Sequence, residues 1–214
     1  LKHYPLFLDI KNKKCLVIGG GSVAERKVKN LLAYDAKVYI ISTKLNNALQ
    51  ELVADGKVCY RGTNYHTAEL DDACLVFCAT NNHAVNSAIA KDCAQKNIPV
   101  NVVDKPSLCT FIVPSTVVRG DLQLAISTGG KSPALAKVLR KKLEADFGPQ
   151  FKEFIDYIGN MRNLVINNIE DLEQRSYILK NLVDNLTIDL VKQGDIEQAK
   201  ERVKSVYYHS GLKS

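Results

Sequence analysis

The chain predicts an α/β protein: a parallel sheet wrapped by helices, then a small strand–helix module, then a helical C-terminal part. Three observations carry that prediction. Strand and helix patterns alternate through the first half, as a parallel sheet with crossover helices requires. A run of three glycines, Gly19 to Gly21, joins the first apolar strand to the first helix. Beyond residue 127 strand signals stop and helical spacing takes over.

Lys14–Ile18 reads as the first strand and 23–34 as a helix, with Val28, Leu31 and Leu32 on one stripe. Lys37–Ile41 is the second strand. The stretch 44–54 is helical and Asp55-Gly56 ends it. Val58–Tyr60 is a short strand. The continuous apolar run 73–79 suits a strand buried on both faces. Residues 82–95 are helical and 99–103 form the next strand. The pattern then changes: 111–113 and 115–118 are strand-like, Arg119-Gly120-Asp121 is a turn, and 122–127 alternates like an antiparallel partner. Ser132-Pro133 reads as an N-cap with proline at the first helical position. Leu135, Val138, Leu139 and Leu143 make that helix's apolar stripe, and Gly148-Pro149 stops it. From residue 150 the reading is helical: Phe151, Phe154, Ile155, Ile158, Met161 and Val165 keep helical spacing. The later helices are 172–183, 187–193 and 196–206. The layout predicts three parts: 1–113, 114–147 and 148–214.

The 214 residues suffice for one large or two small domains with real cores. No apolar run approaches the roughly 18 residues of a membrane span. The N-terminal stretch is too short, and too soon interrupted by Asp9, for a signal peptide, so a cytoplasmic protein is expected. Six cysteines lie without CxxC pairs, which suggests neither a zinc site nor a redox dithiol. They are expected to be reduced core thiols, Cys15, Cys59, Cys74 and Cys78 within strands. The net charge of +6 suits nucleic acid or a small polyanion. Without tryptophan or a basic patch interleaved with aromatics, nucleic acid is the weaker option.

Gly19, Gly21 and Ala24 fit G-x-G-x-x-G/A after a strand and opening a helix, the context of a Rossmann-type dinucleotide site. Gly19 allows the tight turn, Gly21 lets backbone approach a pyrophosphate, and Ala24 permits close helix–sheet packing. The helix start aims free N–H groups and its positive dipole end at phosphates. The second strand ends Ser42-Thr43-Lys44, without the usual ribose-binding carboxylate. Ser42 or Thr43 suits a ribose hydroxyl, Lys44 suits a 2′-phosphate, and Ser42-Thr43 equally suits a helix cap, so NAD and NADP both stay open. Thr80 and Asn81 end the next long strand, where ligands gather in open α/β sheets, though a helix cap explains them too. Asp104 ends the strand after that. It suits a base taking a proton while a nicotinamide takes hydride, and equally suits a cap or an ion pair with Lys105. The Ser127-Thr128-Gly129-Gly130-Lys131-Ser132-Pro133 segment has anion-binding chemistry, with Arg119 nearby in sequence, and is not a P-loop. His3, His66, His83 and His209 show no metal-ligand spacing, so no metal is expected.

Together these tracts resemble the precorrin-2 dehydrogenases of sirohaem synthesis. The likeness rests on Tyr4-Pro5-Leu6-Phe7, the glycine segment through Lys27, Ala79-Thr80-Asn81, Asn101-Val102-Val103-Asp104, and Phe111-Ile112-Val113-Pro114-Ser115 followed by the 127–133 segment. The resemblance implies NAD-dependent oxidation of precorrin-2, a tetrapyrrole rimmed with acetates and propionates, to sirohydrochlorin. It implies an intertwined homodimer joined through the middle module. It marks Asp104 as catalytic and places NAD contacts at Ser22, Val23, Thr43 and Lys44. Arg119, Ser127, Thr128, Gly129 and Lys131, which bring basic groups, hydroxyls and a glycine's backbone, are the expected substrate contacts. Some members also insert ferrous iron, which nothing in these residues addresses. Thr128 departs from the sirohaem synthases, which carry a phosphorylatable serine there. The alternative reading is an NAD(H)-sensing regulator with a helical partner-binding part.

Overall fold

The computed structural model describes residues 3–210. It divides into two compact units, Leu1–Val113 and Pro114–Ser214.

The first unit holds a five-stranded parallel sheet in the order β3-β2-β1-β4-β5. The strands are β1 (Lys14–Ile18), β2 (Lys37–Ile41), β3 (Val58–Tyr60), β4 (Ala73–Cys78) and β5 (Val100–Val102). Between them run α1 (Ser22–Leu32), α2 (Asn47–Ala54) and α3 (His83–Gln95). Period-two alternation sorts the apolar residues onto two faces. Cys15, Val17, Val38, Ile40 and Phe77 pack against Ala24, Val28 and Leu31 of α1 and Leu49 of α2. Leu16, Ile18, Ile41, Val76, Cys78, Val100 and Val102 pack against Ile89, Ala90 and Cys93 of α3. Both faces are covered, which is why β1 and β4 read as unbroken apolar runs.

The order of the strands reverses direction between β1 and β4. Crossovers from β1 lead one way across the sheet and those through β4 lead the other. The chains leaving the carboxyl ends of these two strands therefore run off in opposite directions and leave a crevice above them.

Several boundaries differ from the sequence reading. The helix expected over 44–54 starts at Asn47, because Asn46 and not Ser42-Thr43 caps it: the Asn46 side chain accepts the Leu49 N–H at 3.0 Å. Residues 111–113 are not a strand. Two short 3-10 turns, Thr67–Leu70 and Pro106–Leu108, carry no periodic signal long enough to read. Not every thiol is in the core. Cys15, Cys78 and Cys93 are buried, and burial raises each: Cys15 and Cys78 to about 12, Cys93 to about 11. Cys59 is exposed because β3 is a three-residue edge strand, and Cys74 is half-buried.

The second unit begins with a hairpin of β6 (Ser115–Arg119) and β7 (Leu122–Ile126), paired from Ser115↔Ile126 to Arg119↔Leu122. Then come α4 (Pro133–Asp146), α5 (Gln150–Asn168), α6 (Leu172–Asn181), α7 (Asn185–Gln193) and α8 (Ile196–Ser210). Ser132 caps α4 by accepting the Leu135 N–H, with Pro133 at the first helical position. Phe151, Phe154, Met161 and Val165 of α5 pack with Ile178, Val191, Ala199 and Val203 from the last three helices. The α4 stripe behaves differently: Leu135, Val138 and Leu139 are 38–51% exposed. No helix among the described residues is long and apolar enough to cross a membrane.

Candidate functional site

The crevice at the reversal point of the sheet is a cleft of about 830 Å³. Its walls are 18–23 after β1, 41–43 after β2, 63–65 after β3 and 79–82 after β4, with Val85 and Ala88 of α3.

The glycine turn forms the floor, and its three members do different work. Gly19 has φ +124°, and a Cβ there would lie 2.2 Å from the Ala79 carbonyl oxygen. The β1 and β4 loops can touch only with glycine at this point. At Gly20 a Cβ would lie 2.0 Å from the Lys44 carbonyl oxygen. Around Gly21 a Cβ would meet nothing within 4 Å. Its smallness serves no protein neighbour and leaves open space at the start of α1.

That helix start carries no side-chain cap. The N–H groups of its first turn have no carbonyl partners within the helix. In the same unit Asn46 caps α2 and Asn82 caps α3. Bare donors, a positive dipole end and an open approach suit an anion such as a pyrophosphate. The first-turn carboxylate, Glu25, is turned to other use. It accepts from Lys29 and from Asn46 Nδ2 at 2.7 Å, and those bonds, Lys29 first, hold its carboxyl below its usual value.

Of the residues singled out from sequence, Gly19, Gly21, Ser22, Val23, Ser42, Thr43, Thr80 and Asn81 all line this cleft. Ala24 lies fully buried behind it, against the sheet. Lys44 is exposed beyond its wall, and its carbonyl accepts the Ser42 hydroxyl at 2.8 Å. Thr80 is held from below: its hydroxyl donates to Asn86 Oδ1 at 2.7 Å, and Asn86 Nδ2 returns a bond to the Thr80 carbonyl at 2.9 Å. Asn86 is 1% exposed.

Asp104 lies two residues past β5, the neighbour of β4, with φ +58°. It is exposed. Among the described residues its carboxylate has neither hydrogen bond nor ion pair, so neither the cap nor the Lys105 pair forms.

Arg119, Ser127, Thr128, Gly129 and Lys131 belong to the second unit. Arg119 is committed to structure: Nε donates to Phe147 O at 2.8 Å and Nη2 to Glu144 O at 3.3 Å, closing the end of α4. Ser127 Oγ accepts the Gly129 N–H at 3.0 Å, and Thr128 Oγ1 accepts the Ser132 N–H at 3.1 Å. These bonds fold a turn with Gly129 and Gly130 at positive φ. Lys131 is exposed at its tip. No group of three or more His, Cys, Asp or Glu able to hold a metal occurs among the described residues.

Sequence reasoning missed Gly20, Asn86 and the 63–65 wall. Asn86 sits on an ordinary helix, and its partner becomes visible only when β4 and α3 are folded together. The 63–65 segment carries no motif.

A family model for NAD(P)-binding domains, NAD_binding_7, matches residues 6–115, and the model Sirohaem biosynthesis protein central matches 119–146. The siroheme synthase of Vesicomyosocius okutanii is 36% identical over 200 residues, covering 94% of this chain and 43% of that protein. The siroheme synthase of Nitrosospira multiformis is 37% identical over 204 residues, with the same two coverages. The chain thus spans less than half the length of these relatives. The solved structure of SirC, a precorrin-2 dehydrogenase, shares the fold: TM-score 0.75, 23% identity, 96% of this chain and 100% of that one. With a bare helix start over an open glycine and the family model laid across the same residues, this chain belongs to the NAD(P)-binding family of that model and is a homologue of the siroheme synthases.

Proposed function

We propose that this chain oxidises precorrin-2 to sirohydrochlorin with NAD⁺, in the cytoplasm, as a step of sirohaem synthesis. The observation that carries the reading is the open, uncapped start of α1 within a cleft of about 830 Å³ at the sheet's reversal point. The residues present fit a dinucleotide: a glycine with free space above it, unpaired helix N–H groups, and hydroxyls at Ser42, Thr43 and Thr80 along the walls. SirC is a precorrin-2 dehydrogenase, and the relatives are siroheme synthases, which supports the substrate.

Bound NAD⁺ supplies the hydride acceptor. The chain's own task is to bind the cofactor, to hold the substrate and to accept one proton. Loss of two hydrogens from the macrocycle sends a hydride one way and a proton the other. Asp104 is the proposed proton acceptor, because it stands free at the carboxyl end of the strand beside the cleft. Ser22, Val23, Thr43 and Lys44 are the proposed cofactor contacts alongside the glycines. The turn of Ser127, Thr128, Gly129 and Lys131 is the proposed seat for substrate carboxylates; Arg119 leaves that set because its guanidinium serves the end of α4.

The division into 1–113 for the dinucleotide, 114–147 for dimerisation and 148–214 as a helical part belongs to the same proposal. The uncovered Leu135, Val138 and Leu139 stripe supports a second copy of the chain against the middle module. Val138→Glu is expected to shift the protein from dimer to monomer in sedimentation. A dimer that persists in that variant removes the stripe from the interface.

The test is an anaerobic assay of precorrin-2 with NAD⁺ and with NADP⁺, followed by ferrous iron. NADH formation with appearance of sirohydrochlorin is expected. Asp104→Asn is expected to slow turnover about a hundredfold or more, with NAD⁺ affinity and melting temperature unchanged. Full turnover in that variant takes Asp104 out of the reaction. No observation in the fold favours the sensor reading, which requires tight NADH binding without turnover.

A further inference from the structure

β5 is an edge strand, so its outward backbone groups meet no sixth strand. Residues 109–111 satisfy them instead. Thr110 N–H donates to the Val100 carbonyl at 2.9 Å, and Val100 N–H donates to Thr110 Oγ1 at 2.8 Å. One step on, Val102 N–H donates to Cys109 Sγ at 3.2 Å. The single S–H of Cys109 is shared between the Val102 carbonyl at 3.2 Å and the Lys105 carbonyl at 3.4 Å. Asn101 Nδ2 donates to the Phe111 carbonyl at 3.0 Å and lies 3.8 Å from the same sulfur. Phe111 anchors the segment with its ring edge-to-face on Phe77, centroids 5.4 Å apart.

Val102 and Lys105 are the two ends of the turn that displays Asp104. Within it Lys105 N–H donates back to the Val102 carbonyl at 3.3 Å, and Val103 N–H reaches the Cys78 carbonyl of β4 at 2.9 Å. Among the described residues the Asp104 carboxylate has no partner, and its backbone sits in the left-handed region that side chains disfavour. Its position therefore depends on whatever clamps the turn.

We propose that Cys109, seconded by Asn101, is a positioning residue for Asp104. The sulfur ties both ends of the turn, reinforces the long backbone bond between them, and so fixes where the carboxylate stands. The proposal rests on the reading of Asp104 as proton acceptor, since small misplacement of a reacting group costs rate steeply.

The experiment compares Cys109→Ala, Cys109→Ser, Asp104→Asn and the double variant Asp104→Asn/Cys109→Ala. It reads kcat, KM, NAD⁺ affinity by titration, and amide hydrogen exchange over 102–109. Cys109→Ala is expected to lower kcat about tenfold to a hundredfold, to leave KM and NAD⁺ affinity within about twofold, and to speed exchange in the turn. Cys109→Ser keeps a donor and an acceptor and is expected to recover part of the rate. In the Asp104→Asn background the cysteine change is expected to add no further loss. A slow Asp104→Asn beside a Cys109→Ala of normal kcat overturns the positioning role and leaves the Asp104 reading standing. So does an additive loss in the double variant. A fully active Asp104→Asn sinks both. If Cys109→Ala does not fold, Cys109→Val, which fills the space with neither donor nor acceptor, decides, and normal kcat with normal exchange there overturns the proposal.

Discussion

Helix α7 opens on Asp184, whose carboxylate accepts the Thr187 N–H at 2.8 Å and the Thr187 hydroxyl at 2.6 Å. Helix α1 opens on Gly21, which offers no side chain at all. In the second unit α4, α6, α7 and α8 each begin under a side-chain oxygen, from Ser132, Asp171, Asp184 and Asp195, while α5 opens on Pro149 without one and without a glycine's open space. A cap removes orphan donors and stabilises a helix by about 1 kcal/mol. In the sheet unit α2 and α3 are capped in the same manner, while α1 forgoes the gain. The difference separates a helix end built for stability from one left available to an anion.

The contrast can be broken within one loop. Gly19→Ala puts a methyl 2.2 Å from a carbonyl oxygen at a φ of +124° and is expected to destabilise the protein by about 3 kcal/mol in denaturant titration. A Cβ at Gly21 meets no atom within 4 Å, so Gly21→Asp is expected to keep the parent's melting temperature or raise it slightly by capping α1. Its carboxylate occupies the bare helix start, and NAD⁺ affinity is expected to fall at least about a hundredfold, roughly 3 kcal/mol. Retained binding in Gly21→Asp would show that this helix end is not where the phosphates sit.

The capped side of the comparison predicts the reverse. Asp184→Ala exposes the α7 start and removes the partner of Arg202, 2.6 Å away. A loss of about 1–2 kcal/mol in stability with unchanged NAD⁺ titration is expected. Altered cofactor affinity there would deny that the capped end serves stability alone.

The smallest effect is a pH dependence. Hydrogen bonds from Thr187, then the Arg202 pair, hold the Asp184 carboxyl down at about 2 against an ordinary 3.8. A depressed carboxylate stabilises the fold fully above the unfolded value and loses that contribution as pH falls through the folded one. Melting temperature should therefore decline between about pH 4 and pH 2, and less steeply in Asp184→Asn. Equal slopes in parent and variant would assign the acid sensitivity to other carboxylates.

Much of this is legible in the amino-acid sequence. The β1 to α1 register, with Gly19, Gly21 and Ala24 in place, follows from spacing, because one strand and one helix meeting at a tight turn is a local event. Ser132-Pro133 is local too, and the cap stands where the pattern put it. Asp104 was legible as a carboxylate at a strand end, since every strand of a parallel sheet delivers its carboxyl end to the same edge. The reading failed where satisfaction of a group came from a distant partner. Ser42 turned to the Lys44 carbonyl instead of capping α2, because Asn46 sits nearer the helix. Arg119 went to the carbonyls at the end of α4, 25 and 28 residues on. Residues 111–113 lost strand pairing, as the edge of β5 was closed by the Thr110 N–H and the side chains of 109 and 110 rather than by a ladder.

The amino-acid order alone determined the alternation of strands and helices, the glycine turn and the residue types that arrive at the sheet's carboxyl edge. These follow from backbone sterics and hydrophobic periodicity, which act over a few residues. Tertiary structure decided which polar groups were consumed and which left free: Thr80 tied to Asn86, Asp104 without a partner, the α1 start uncapped. That allocation depends on which chain segments meet once both sheet faces are covered, and neighbours in space are not written in spacing along the chain.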